Sequence, residues 1–118
     1  MMRHAGLAEG RWTGMSLVEQ MAHVGSEVER SIRARERGNA DRLEGAFERA
    51  LELFDLTVSD VRWRGPRRRE LARAREEFRE LIHGGEDAWP STERVRAYYL
   101  QFAVAARGRE STTGGGQA

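Results

Sequence analysis

The residues with the most distinctive chemistry lie at positions 62–75, in the sequence RWRGPRRRELARAR. This basic segment contains seven arginines and a single acidic residue, Glu70. A guanidinium group binds phosphate through paired N–H donors, and an indole ring such as that of Trp63 can stack on a base. The segment therefore predicts a nucleic-acid or anion contact made by Arg62, Trp63, Arg64, Arg67, Arg68 and Arg69.

The same arginines have an internal alternative. Asp55 and Asp60 lie near the end of one predicted helix, where the helix dipole disfavours acids, and the arginines begin the next, where it disfavours cations. A tight turn would bring the two ends together, so that each cluster relieves the other. We favour this internal pairing, in which the two aspartates meet Arg67, Arg69 and Arg73, over nucleic-acid contact.

A second candidate is the trio Glu19, His23 and Glu27, spaced four residues apart on a predicted helix. One imidazole and two carboxylates on one helical face could bind a metal ion. The three residues flank the apolar line of that helix, however, whereas a metal site in a bundle needs ligands inside it. We therefore interpret them as a solvated face and predict no metal site, no cofactor and no catalytic residue.

The hydrophobic pattern predicts the elements that carry these residues. Apolar residues recur at steps of three and four, the helical period, over 16–37, 40–61, 66–83 and 92–107. The longest apolar line belongs to the second helix, and it consists of Leu43, Phe47, Ala50, Leu51, Phe54, Val58 and Val61. Each helix has a start signal: the capping box of Ser16 and Glu19, Asn39 after Gly38, Pro66 in a first turn, and Ser91 or Thr92.

Short connections between these helices favour antiparallel neighbours. The predicted fold is an all-α, antiparallel, up-down-up-down four-helix bundle at residues 16–108. Residues 1–15 are expected to form a loose N-terminal arm from which Trp12 can dock on the bundle, and 109–118 a disordered tail because they offer almost nothing apolar to anchor them.

Composition restricts the classes of function. The 118 residues suffice for one domain with a core, and the absence of cysteine excludes disulfides and thiol chemistry. The net charge of +1 favours neither nucleic acid nor membrane. No apolar run approaches the ~20 residues that span a bilayer, and the N-terminus lacks the pattern of a signal peptide. We expect a cytoplasmic protein without membrane contact.

Three segments resemble a family of short, uncharacterised, all-helical prokaryotic proteins. They are VGSEVERSI (24–32), AFERALELFDLT (46–57) and YYLQFAVAAR (98–107). The resemblance implies a compact four-helix protein and brings no activity with it.

Two enzyme families are more distant look-alikes. The HEPN ribonucleases are small helical bundles that use an arginine and a following histidine, but Arg79 and His83 stand closer together than that motif requires. The segments ELFD (52–55) and EEFRE (76–80) resemble the Mg²⁺-binding elements of all-α nucleotide pyrophosphohydrolases, in reversed order.

The sequence thus favours a non-catalytic helical-bundle module for protein interaction, forming a homodimer. Trp12 and Trp89 fall outside the regular helical faces and are predicted partner contacts. A different protein as partner remains open. The first alternative is a nucleic-acid-binding protein that uses the basic segment, and the second is a Mg²⁺-dependent pyrophosphohydrolase.

Overall fold

The computed structural model describes the backbone of residues 7–117 and the side chains of residues 10–108. Its five helices are α1 (Leu7–Thr13), α2 (Leu17–Glu36), α3 (Ala40–Val58), α4 (Pro66–His83) and α5 (Thr92–Gln117), with a short 3₁₀ turn at Gly85–Asp87. The described chain contains no strand. The prediction of an all-α protein is therefore confirmed, and its four long helices fit a four-helix bundle.

The predicted start signals at Ser16, Asn39 and Ser91 are confirmed as hydrogen bonds, whereas α4 begins at Pro66 without a side-chain cap. At the start of α2 the Ser16 hydroxyl accepts from the Glu19 amide at 3.2 Å, and the Glu19 carboxylate accepts from the Ser16 amide at 3.1 Å. Before α3 the Asn39 side chain accepts from the Arg42 amide at 3.1 Å. Gly38 has a φ of 70°, which a residue without Cβ adopts at little cost, so the chain turns sharply between α2 and α3.

Helix α2 is the centre of the molecule, packing most extensively against α3 and α5 and also touching α4. A Cβ added to Gly25 would stand only 3.1 Å from Cβ of Tyr99, so the glycine permits a close approach of α2 and α5. The largest fully buried apolar side chains come from α2, α3 and α4, and they are Phe54, Phe78, Met21, Ile32, Leu71, Val24 and Val28.

Helix α3 ends at Val58, three residues before the predicted end. Two local hydrogen bonds compete with further helix: the Ser59 hydroxyl donates to the Asp55 carbonyl at 2.6 Å, and the Asp60 carboxylate accepts from the Arg62 amide at 3.1 Å. Val61, predicted to belong to the core, consequently lies in the turn and is 66% exposed.

At the N-terminal end the predicted docking of Trp12 is confirmed, whereas the C-terminal end departs from expectation. Residues 1–6 lie outside the described part of the chain, but the rest of the predicted arm includes α1 and the buried Trp12. Helix α5 continues to Gln117 instead of ending at Arg107. The predicted disorder of 109–118 falls on residues whose side chains, and for Ala118 also the backbone, lie outside the described part.

Candidate functional site

A buried polar network joins α1 and α2 to the turn after α3. The side chain of Gln20 is fully buried; its Nε2 donates to the Trp12 carbonyl at 2.8 Å and to Asp60 Oδ2 at 2.9 Å. Its Oε1 accepts from Trp63 Nε1 at 2.8 Å. Trp12 in turn donates from Nε1 to the Thr57 hydroxyl at 3.1 Å. We call these five residues the Gln20 network.

The carboxylate of this network is neutralised by the first arginine of the basic segment. Asp60 is 4% exposed, and Arg62 reaches it with Nε at 3.1 Å and Nη2 at 2.8 Å. The hydrogen bonds from Arg62, aided by Gln20, lower the pKa of Asp60 from 3.8 to about 2 against the opposing effect of burial. The same Nη2 donates to the Met15 carbonyl at 2.7 Å, so the pair also ties down the chain before α2.

The internal pairing predicted for the basic segment is present with different partners. Asp60 binds Arg62, two residues away in the same turn, and Asp55 binds Arg75 at 3.0 Å across α3 and α4. The predicted pairing with Arg67, Arg69 and Arg73 was therefore wrong. Arg67 instead binds Glu70 at 3.2 Å within α4. Arg69 and Arg73 are exposed and make no ion pair with any residue whose side chain is described.

Several residues predicted to contact nucleic acid thus have structural partners. Arg62 covers one face of the Trp63 ring, with its guanidinium carbon 4.5 Å from the ring centroid, and the indole N–H is bound to Gln20. Arg68 donates to the Asp60 carbonyl at 3.2 Å and Arg64 to the Val61 carbonyl at 2.9 Å. The stacking surface expected of Trp63 is therefore partly occupied by its own neighbour.

The predicted partner contacts, Trp12 and Trp89, have opposite environments. Trp12 is 4% exposed and packs in the core, so its ring is covered by this chain. Trp89 is 58% exposed, with the Arg94 guanidinium 5.5 Å from its ring centroid. Of these two tryptophans, only Trp89 has an exposed ring.

The three candidate metal ligands, Glu19, His23 and Glu27, each contact different neighbours. Glu19 serves the capping box and His23 packs beside the Trp12 ring, with centroids 5.8 Å apart. Glu27, expected on a solvated face, is 9% exposed and binds Arg30 and Arg49. Across the described side chains, no three histidine or carboxylate groups lie close enough to hold a metal ion.

The residues that were compared with the two enzyme families make contacts that differ from those of a catalytic site. Arg79 binds Glu76 at 3.2 Å, while His83 packs edge-on against Phe47 and lies 3.6 Å from Glu44. Between the two acidic segments of the pyrophosphohydrolase comparison stands Arg75, whose Nε binds Asp55 at 3.0 Å and whose Nη1 binds Glu76 at 3.1 Å. A guanidinium group occupies the place where that comparison required a cation.

An exposed apolar surface lies on α5. Val95 and Tyr99 face the core at 3% and 6% exposure, whereas Leu100 and Val104 are 56% and 54% exposed. Leu100 and Val104 are four residues apart and share one side of the helix. An uncovered pair of large apolar side chains is a feature of interaction surfaces when polar residues border it.

An arginine-lined groove between α2 and α3 was missed by the sequence analysis. It has a volume of about 660 Å³, and its arginines are Arg30, Arg33, Arg37, Arg42 and Arg49. The signal was present: three of them recur at helical spacing before Gly38 and two after it, on helices that the turn folds together.

Comparison of the chain with protein-family models, with curated proteins and with solved structures finds no match. The resemblance to short helical prokaryotic proteins therefore stays a prediction. In the part of the chain that the structure describes, no helix combines the length and apolarity needed to cross a membrane.

Proposed function

We propose that this protein is a non-catalytic helical-bundle module for protein interaction, which pairs with a second copy of itself through α5. The observation that carries the proposal is the exposure of Leu100 and Val104, at 56% and 54%, on the face of α5 turned away from the core. Burying both side chains would stabilise a dimer by roughly 25 cal/mol for each Å² of apolar surface removed from water.

The spacing of the residues around this pair supports helix-to-helix contact. Ala97, Leu100 and Val104 follow the three-then-four spacing of a coiled-coil seam. Glu93 lies one turn before them and Arg107 one turn after them, and both are exposed. We call these five residues the α5 stripe: an acid at one end, apolar residues in the middle and a base at the other end.

The charges of the α5 stripe fit a second copy in the antiparallel orientation. Glu93 and Arg107 are equally far from Leu100 in sequence. An antiparallel pair of α5 helices centred on Leu100 therefore places Glu93 of each copy opposite Arg107 of the other. Such a pairing is two-fold symmetric, and it uses one surface on both copies.

The length of the α5 stripe limits the expected affinity of the dimer. From Glu93 to Arg107 the helix is about 22 Å long, which makes a contact smaller than the ~1,200 Å² of stable complexes. We therefore expect a weak dimer whose population rises with concentration. Trp89, four residues before Glu93, is also exposed and is a further candidate for contact with the second copy.

The antiparallel up-down-up-down arrangement of the bundle belongs to the same proposal. Between α3 and α4, Asp55 binds Arg75 while the earlier Glu44 lies beside the later His83. Contacts between later residues of one helix and earlier residues of the next support antiparallel neighbours. This orientation leaves α5 at the side of α2, with its outer face uncovered.

Light scattering across a concentration series tests the proposal. Wild type should show a mass rising from the monomer value toward twice that value, and Leu100→Glu should hold it at the monomer value. Val61→Glu is the matched control, because Val61 is 66% exposed but lies in the turn before α4. A wild-type mass fixed at the monomer value up to about 1 mM, or equal effects of both variants, would refute self-pairing through α5.

A further inference from the structure

We propose that the groove between the end of α2 and the beginning of α3 binds a compact polyphosphate, either free or carried by a nucleotide. This site is separate from the α5 stripe and from the basic segment. It is assigned by the side chains that line it and by the carboxylates that hold some of them in place.

The groove has a small-residue floor and an arginine rim. Ala34, Gly45 and Ala46 line it together with arginines from both helices, and Asp41 is its one acidic lining residue. Its volume of about 660 Å³ lies within the range of small-molecule sites. Without long side chains on the floor, the guanidinium groups of the rim can converge on one ligand.

Three of the five arginines are held by acids outside the lining. Buried Glu27 binds Arg30 at 3.0 Å and Arg49 at 3.3 Å, while Glu29 binds Arg33 at 3.0 Å. A carboxylate uses only part of the five N–H donors of a guanidinium, so these contacts position the arginines and leave donors for a ligand.

The other two arginines supply uncompensated charge. Arg37 and Arg42 stand on either side of the Gly38 turn, and neither guanidinium group forms an ion pair with a described side chain. The lining has five guanidinium groups and the carboxylate of Asp41, and the carboxylates of Glu27 and Glu29 outside it reduce the excess to two positive charges. A ligand with several negative charges close together would satisfy this excess.

The shape of the site favours a compact polyphosphate over a nucleic-acid strand. The arginines of α2 and its C-terminal cap extend from Arg30 to Arg37, which is about 10 Å along the helix axis. That length suits a triphosphate, whereas single-strand sites track several nucleotides and provide aromatic rings for the bases. None of the lining residues is aromatic, so recognition would be directed at phosphate.

Calorimetric titration of the full chain with inorganic tripolyphosphate and with ATP tests the site. We expect Arg37→Ala combined with Arg42→Ala to weaken tripolyphosphate binding at least about tenfold, since two charge-assisted contacts are lost. Arg69→Ala combined with Arg73→Ala is the matched control, because it removes the same charge from exposed arginines outside the groove. Equal binding of both ligands supports recognition of the phosphate chain alone, and tighter ATP binding supports a nucleotide.

A second variant blocks the groove without changing charge. A Cβ on Gly45 meets only the flexible end of Arg49, at 3.4 Å, so Gly45→Met should fold and fill the floor. It should abolish binding while circular dichroism stays helical. The proposal is overturned if wild type binds no tripolyphosphate at about 1 mM. It is equally overturned if both double variants weaken binding alike, if Gly45→Met binds normally, or if a single-stranded oligonucleotide binds more tightly than tripolyphosphate.

Discussion

Asp60 and Arg62 form a bidentate ion pair within the turn after α3. Arg62 Nε lies 3.1 Å from Asp60 Oδ1, and Arg62 Nη2 lies 2.8 Å from Asp60 Oδ2. The carboxylate is buried and also accepts from Gln20, so the first arginine of the basic segment stabilises the fold. The exposed charge of that segment is correspondingly smaller than its sequence suggests.

The ion pair predicts a pH dependence of stability. The pKa of Asp60 is about 2 in the folded protein, below its ordinary 3.8. Because the pKa of Asp60 is lower in the folded state, the ion pair stabilises the folded protein fully at pH values above the unfolded-state pKa. This stabilisation is lost as the pH falls through the folded-state pKa. We expect Asp60→Asn to cost about 2 kcal/mol at pH 7 and almost nothing near pH 1.

Urea unfolding of wild type and Asp60→Asn across this pH range measures the difference. Asp87→Asn, at an exposed position in the 3₁₀ turn, serves as the control and should change stability little at any pH. A cost of Asp60→Asn that stays constant from pH 7 to about pH 1 would show that ionisation of Asp60 does not contribute.

A charged side chain of the same shape should not be tolerated at position 20. Gln20→Glu replaces the amide that donates to Asp60 at 2.9 Å with a second buried carboxylate. We expect a loss of more than about 2 kcal/mol at neutral pH, because like charges are brought together away from water. Gln101→Glu, at an exposed position on α5, should change the free energy of unfolding by less than about 0.5 kcal/mol. Chemical denaturation that finds similar effects for both would contradict the network.

Arginines of the basic segment should differ in their structural roles. Arg62→Ala leaves the buried Asp60 without its cation and should destabilise the fold clearly. Arg69→Ala combined with Arg73→Ala removes exposed arginines of α4 and should stay within about 0.5 kcal/mol. Thermal melts compare the two. Salt-sensitive oligonucleotide binding that the double variant abolishes would instead support the nucleic-acid alternative.

The approach of α2 and α5 depends on Gly25. A Cβ there would stand 3.1 Å from Cβ of Tyr99, which is attached to the backbone and has little freedom to move. Gly25→Ala should therefore destabilise by about 1 to 3 kcal/mol, even though alanine favours helix. Gly45→Ala meets only the flexible end of Arg49 at 3.4 Å and should stabilise by about 0.5 to 1 kcal/mol. Gains of stability in both variants would contradict the close approach.

Much of the fold could be predicted because its determinants are local. Ser16 and Glu19, three residues apart, specify the start of α2, and Asn39 after Gly38 specifies the turn to α3. The helical period also identified most of the core, since the buried face of a helix repeats at that period. The pattern extended α3 too far at Val61 because it did not include the competing hydrogen bonds of Ser59 and Asp60.

The candidate sites depend on contacts that local patterns do not specify. Gln20 and Asp60 are 40 residues apart, and Trp12 and Thr57 are 45 apart, so the Gln20 network forms only after the helices have packed. In the groove between α2 and α3, Arg49 likewise binds Glu27, 22 residues earlier in the sequence. The sequence indicated arginine and tryptophan as candidate contact residues. Ion pairs and hydrogen bonds within the folded chain determine which of these side chains can still bind a ligand or partner.

The proposed pairing of α5 with α5 of a second copy is tested most directly through the charges at the ends of the α5 stripe. Light scattering at matched concentrations would compare wild type with Glu93→Arg, with Arg107→Glu and with the variant carrying both. Each single reversal places like charges opposite one another and should lower the dimer fraction, while the double reversal should restore it, because the pairs form again with exchanged signs. A double reversal that dimerises no better than the single ones would contradict antiparallel pairing through α5.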